Sequence, residues 1–274
     1  MKIKALFASF NIVLIISFLI IFFLPFFILD AAFMREFWLK NWYLAVIFLG
    51  ILIFVNILFF SYRKIFTCLE AEDWPALAQY LETEIFEKNR ITKRKAQLLC
   101  DALLILGDFA TVKKLEDLLR TKKPRLFASL DVRFVSAVLL SADYNRMYTL
   151  AGELAEMKGA ERDWMHFFMA FSVQLSGRFS DAADRFLLLT GSAKDPLVTA
   201  MSGYLSGVVL SRKLPERKSA LVCASDEARK RLLDTYSVRK WSRFIADSKA
   251  DMHVVILSKL VDETGKWLFP PVQK

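Results

Sequence analysis

Residues 107–112 read Gly-Asp-Phe-Ala-Thr-Val. Glycine tolerates positive φ and ends a helix without steric cost, and an aspartate that follows can accept the free N–H groups of the next helix. The stretch therefore predicts a tight turn between two helices. It does not occur once. Ala-Asp-Tyr-Asn-Arg-Met begins at Ala142 and Gly-Arg-Phe-Ser-Asp-Ala at Gly177, each with its aromatic in the same place. Taken as zero marks, Trp74, Phe109, Tyr144 and Phe179 stand 35 residues apart.

Other columns keep the same ruler. One residue before each aromatic come Asp73, Asp108, Asp143 and Arg178, and three after it come Leu77, Val112, Met147 and Ala182. Seven before it come the small residues Thr67, Ala102, Ala137 and Ser172, and Gly207 continues that column. Small side chains at a fixed place let paired helices approach closely. A period of 20–50 residues marks a repeat array in which each unit is one supersecondary element. Here the unit reads as two helices. Residues 93–106 carry Leu98, Leu99, Ala102, Leu103 and Leu106 at helical spacing, and the helix after Asp108 carries Val112, Leu115, Leu118 and Leu119 on one face. Asp195-Pro196 marks a further start, a capping carboxylate before a first-turn proline.

These residues resemble the tetratricopeptide repeat, which places Gly-x-aromatic-x-x-Ala between its helices. Gly107-Asp108-Phe109 with Val112, Gly177-Arg178-Phe179 with Ala182, and Pro124 after the second helix carry the likeness. It spans residues 60–213. The chain departs from the family in its 35-residue period, in Glu116 at an apolar position, and in lacking a Trp-Leu-Gly-Tyr pattern. The resemblance implies an α-solenoid with a concave groove on the first helix of each pair. Trp164, Phe167 and Phe171 occupy positions that line that groove in the family, so they are candidate partner-binding residues. Phe168 makes this helix apolar nearly all round, so something should cover it. Either a partner peptide or the chain's own terminal helices or Lys-Trp-Leu-Phe-Pro-Pro tail would serve.

The amino-terminal part is of another kind. Residues 5–29 and 42–62 carry no charge, and roughly 20 apolar residues suffice to cross a bilayer core. Trp38, Trp42 and Tyr43 would form an interfacial belt. The first run exceeds the apolar core of a cleaved signal peptide, about 7–15 residues. Two transmembrane helices are thus expected in residues 1–62, helical repeats in 63–213, and capping helices with a tail in 214–274. The second span is expected to continue as one helix from about Trp42 to Glu72. Amphipathic helices are expected over 226–247 and 251–263. The fold class is all-α.

Cys68, Cys100 and Cys223 form no disulfide framework, which suits a reducing compartment. Basic residues flank both spans almost evenly, and those between Lys88 and Lys95 tip the repeats toward the cytoplasmic side of an inner membrane. The net charge is +9. Lys88, Arg90, Lys93, Arg94 and Lys95 crowd the first loop between units, and Arg120, Lys122, Lys123 and Arg125 the second. Near an anionic leaflet such residues bind head groups, so these two loops are the candidate membrane-surface contact. RNA reading by helical repeats is disfavoured, because no column of the first helix is polar in all copies.

His166 and His253 have no second histidine or carboxylate at ligand spacing, and no phosphate loop, nucleophile elbow or zinc motif occurs. No catalytic residue, metal or cofactor is expected. The sequence describes a membrane-anchored adaptor that holds a protein partner. Its rival is an accessory subunit bound to a larger membrane complex through the spans.

Overall fold

The computed structural model describes residues 9–20, 35–36 and 39–270. It is all-helical in class, and the chain divides into two compact units, Met1–Thr83 and Glu84–Lys274.

In the first unit, α1 (Ser9–Ile20) and α2 (Tyr43–Glu70) are apolar helices. Inside α2 the Asn56 amide donates to Asn11 Oδ1 at 2.9 Å and to the Leu52 carbonyl at 2.9 Å. A side-chain amide in an apolar helix must find such partners or lose the hydrogen bonds it had in water. Phe18 and Phe48 rings meet at 4.8 Å. The helix expected from about Trp42 to Glu72 is the continuous α2, Tyr43 to Glu70, and its axis turns by 51° between Val46–Ile57 and Tyr62–Glu70. Among the described residues no single helix is long and apolar enough to cross a membrane, whereas the two arms of this bent pair meet that test together. Residues 5–8 and 21–29 of the first expected span, and Trp38, lie outside the described residues. Helix α3 (Trp74–Glu82) packs on α2.

The second unit is a run of helix pairs. A π-helical turn (Thr83–Glu87) precedes α4 (Lys93–Leu106), which is paired with α5 (Phe109–Lys122). A short α6 (Pro124–Ala128) leads to α7 (Asp131–Leu140) and α8 (Tyr144–Ala155), then α9 (Arg162–Leu175) and α10 (Phe179–Ser192). Helix α11 starts at Pro196 and passes through a π-helical segment to Lys213, and its partner is α12 (Lys218–Thr235). The last three helices are α13 (Val238–Ser248), α14 (Met252–Ile256) and α15 (Ser258–Leu268). Each first helix packs on its own partner, and α4, α7, α9 and α11 also touch in succession.

The turns explain the ruler. Trp74, Phe109, Tyr144 and Phe179 are each the first residue of a second helix. Two residues before them, Glu72, Gly107, Ala142 and Gly177 all have positive φ, between 53° and 79°. Glycine adopts that conformation freely, while Glu72 and Ala142 carry about 1 kcal/mol of strain each. The residue that follows does two jobs. Its N–H reaches back to the previous helix, Asp73 to Cys68 O at 3.0 Å, Asp108 to Leu103 O at 3.0 Å and Arg178 to Val173 O at 3.2 Å, closing a Schellman end. Its side chain, where it is aspartate, caps the next helix: Asp73 accepts from Ala76 N, Asp108 from Thr111 N and Asp143 from Arg146 N, each at 3.0 Å. The column three residues on, Leu77, Val112, Met147 and Ala182, is buried. In the small column, Ala102, Ala137 and Ser172 are buried too.

Past Arg212 the pattern of pairs outlasts the sequence ruler, because α11 and α12 still pack together. Gly203 and Gly207 make that crossing close. A Cβ on Gly207 would lie 2.1 Å from Ser225 Oγ, and one on Gly203 2.9 Å from the Trp267 ring. The helix expected over 226–247 is corrected to two helices. Tyr236 is extended at φ −115°, ψ 120°, and Ser237 caps a new helix by accepting from Lys240 N at 3.4 Å. The one expected over 251–263 likewise divides into α14 and α15.

Candidate functional site

A row of ionisable groups runs along the first helices, from Asp101 of α4 through the starts of α7 and α9 to the cap of α11. Arg133 of α7 donates from Nε to Asp101 Oδ1 of α4 at 2.8 Å. Asp131, at the start of α7, accepts from the Glu161 backbone N–H beside α9 and from Val132 N at 2.8 Å. Asp163 in turn accepts from Lys194 N at 2.7 Å and Asp195 N at 2.8 Å. Asp195 completes the row by capping α11 through Leu197 N and Val198 N while accepting Trp164 Nε1–H at 3.2 Å. Thus a carboxylate near the start of a first helix holds the loop that opens the next one, and the loops are spaced by side chains rather than by loop sequence.

Helix α14 closes this row. It packs on α7, and His253 lies buried with its ring edge-on to Trp164, centroids 4.3 Å apart. Burial holds the imidazole at about 4, against a raising influence from Asp251, so it is neutral at neutral pH. Burial also raises Asp101, Asp131 and Glu161 above the ordinary carboxylate range, Arg133 partly offsetting this at Asp101. The ensemble is a polar joint between the carboxyl-terminal segment and the first helices.

This placement corrects the open-groove expectation. Trp164 is 3% exposed and Phe167 fully buried, while Phe171 is half-buried and stacked on Phe167 at 5.6 Å. The apolar all-round helix is covered by the chain itself. The cover over Trp164 is His253 of α14; Trp267 of the tail helix instead meets Tyr204, ring centroids 6.5 Å apart.

The basic loops are brought together, and much of their charge is engaged. Glu84, buried in the π-helical turn, pairs with Lys88 at 2.9 Å and Lys95 at 2.8 Å, and Arg90 approaches to 3.9 Å. Those lysines hold its carboxyl at about 2. Lys122 donates to Asn89 at 3.1 Å and Lys123 to the Ile91 carbonyl at 2.7 Å, tying the second loop to the first. Arg120 bonds Glu116 at 3.0 Å and also Glu153. Lys93, Arg94 and Arg125 are exposed. Glu116, the polar departure at an apolar position, is 4% exposed and takes a second bond from Arg146 at 2.6 Å. Two guanidinium groups satisfy what would otherwise be an unpaired buried carboxylate.

Sequence reasoning missed one further column. Four residues before the aromatics, at the ends of the first helices, Ile105, Leu140 and Leu175 are 46%, 43% and 38% exposed, with Leu106 beside them at 42%. The same ruler would have found them. Large apolar side chains repeated at one exposed position are what a binding ridge requires.

Among the described residues, no three histidine, cysteine, aspartate or glutamate side chains are grouped to hold a metal. Cys100 is buried, and burial pushes its thiol up, away from reactivity.

Residues 111–270 match the family model described as "Uncharacterised Treponema protein". A protein of Treponema pallidum (strain Nichols), described as "Uncharacterized protein", is 31% identical over 232 residues, covering 82% of this chain and 74% of that protein. No solved structure matches.

Proposed function

We propose that this chain, which belongs to that Treponema family, is a membrane-anchored scaffold whose tetratricopeptide-like repeats hold a protein partner beside the inner membrane. The observation that carries this reading is the ruler made physical. Many polar contacts in the second unit link residues about one repeat apart, with separations of 30 to 33 in Arg146 to Glu116, Arg133 to Asp101, Lys123 to Ile91, Asp163 to Asp195 and Arg217 to Asp184. Coupling of each unit to its neighbour is how a solenoid is stabilised, and a solenoid works by the surface it extends. With the Trp164 face occupied from within, the surface offered is the ridge of Ile105, Leu106, Leu140 and Leu175. Its occupant is a protein segment that places apolar side chains against successive units.

The uncharged runs at 5–29 and 42–62, the Asn11–Asn56 bond between them and the bent pair in α2 support the anchor. The repeats lie on the cytoplasmic side in this reading, with exposed Lys93, Arg94 and Arg125 facing the lipid head groups. Alkaline carbonate extraction of membranes containing the full chain tests the anchor. An anchored chain stays in the pellet, and recovery in the supernatant would reject the anchor.

A further inference from the structure

The loop cations are largely engaged in internal pairs. Helix α13 (Val238–Ser248) carries Arg239, Lys240 and Arg243, all exposed and none bonded to a carboxylate among the described residues, with Asp247 the sole acid on the helix. Lys249 follows directly and is exposed too. The helix is strongly amphipathic. Its apolar side holds Trp241 in a cluster with Tyr236 and Phe244, ring centroids 5.5 Å apart in each case. Beyond that cluster α13 makes only sparse contact with other helices.

Between α13 and α15 lies an open groove of about 630 Å³, lined among others by Val238, Ile245, Ala246 and Phe269, with Lys249, Lys266 and one acid, Asp262, also on its lining. Helical geometry stacks Val238, Ser242 and Ala246 in one exposed row, and Arg239 and Arg243 in the row beside it. Val238 is 58% exposed. A row of small and apolar residues bordered by cations is how a helix can lie in a membrane interface, with apolar groups at the acyl boundary and guanidinium groups at the phosphates.

We propose that α13, with the groove it forms against α15, docks on an anionic phospholipid surface. Phosphates take Arg239, Lys240 and Arg243, and acyl chains take Val238 and the groove. This extends the membrane reading but does not depend on the spans, since a chain without an anchor would still present the same helix.

The test uses the full chain in neutral nanodiscs, carrying Cys223→Ser and Val238→Cys, labelled with an environment-sensitive thiol dye. Cys68 and Cys100 are buried and stay unlabelled. Vesicles of phosphatidylcholine, with or without phosphatidylglycerol, are then titrated in. The expected result is a blue shift with the anionic vesicles only, with apparent affinity lowered roughly 100-fold by Arg239→Glu/Lys240→Glu/Arg243→Glu. A second variant, Ala246→Asp, weakens the shift while leaving every cation in place. No shift, an equal shift with neutral vesicles, or a shift indifferent to charge reversal overturns the proposal. An equal shift with polyglutamate in place of vesicles also overturns it, and would assign the surface to an acidic protein. Carbonate extraction reports on the spans whichever way the dye responds, so the two readings fail separately.

Discussion

Trp164→Ala destabilises the second unit by about 4 kcal/mol, because truncating a large buried aromatic removes its transfer energy and leaves a cavity. The indole is 3% exposed and lies in ring contact with Phe167, Phe168 and His253. It also donates to Asp195, a residue that caps α11. The loss therefore reaches three elements: the packing of α9, the cap of α11 and the seat of α14. Domain stabilities lie in the range of about 5–15 kcal/mol, so the variant keeps little reserve. Thermal denaturation of the full chain, followed by circular dichroism, should show a fall of roughly 10–15 °C. Trp164→Phe keeps most of the packing but not the bond to Asp195, and should lie between the two. Unchanged melting in Trp164→Ala would mean that the residue faces outward and that the open groove is real.

Gly207→Val produces the second large effect, about 3 kcal/mol of destabilisation. A Cβ at this position lies 2.1 Å from Ser225 Oγ and 2.5 Å from Ser225 Cβ. The hydroxyl can rotate away, but the Cβ is fixed to the backbone of α12. The two helices must separate, and the last pair of the array loses its close contact. Valine's modest gain in helix propensity over glycine offsets only a few tenths of a kcal/mol. Gly191→Ala in α10 is the control, since a Cβ there meets nothing within 4 Å. It should melt at or slightly above the parent temperature, by the same method. Equal behaviour of the two glycine variants would show that α11 and α12 do not cross closely.

What could be read in advance depended on how local the determinant was. The turn at Gly107-Asp108 is settled within six residues by steric freedom and one carboxylate, and α4 begins and ends at Lys93 and Leu106 as its spacing predicts. The break at Tyr236 and Ser237 was hidden, because Leu233, Tyr236, Trp241 and Phe244 keep helical spacing across it. A single capping serine, though a good N-cap, does not outweigh that pattern by sequence alone.

Other features depend on partners far along the chain. Glu116 looked like a defect in a repeat, and it is Arg120 in its own helix together with Arg146 in the next unit that makes it acceptable. The basic loops read as free charge until Glu84 and the loop carbonyls were placed beside them. Trp164 is covered by His253, which lies in a part of the chain that no period connects to it. The ridge at Ile105, Leu140 and Leu175 was legible, since the column four before the aromatics is apolar in three successive units. Exposure is what gives it meaning, and exposure is a tertiary fact.

If the repeats hold a protein partner, site-specific photo-crosslinking in intact cells will capture it on the ridge. Photoreactive residues at Leu140 and Leu175 of the full chain would sample the ridge, and one at exposed Lys113 would serve as the reference. A discrete protein adduct in the membrane fraction is expected from both ridge positions. The adduct from Leu140 should be lost when Ile105 and Leu175 are changed to aspartate, with the helical content intact. Adducts no different from those at Lys113, or none at either ridge position, would contradict a partner held there.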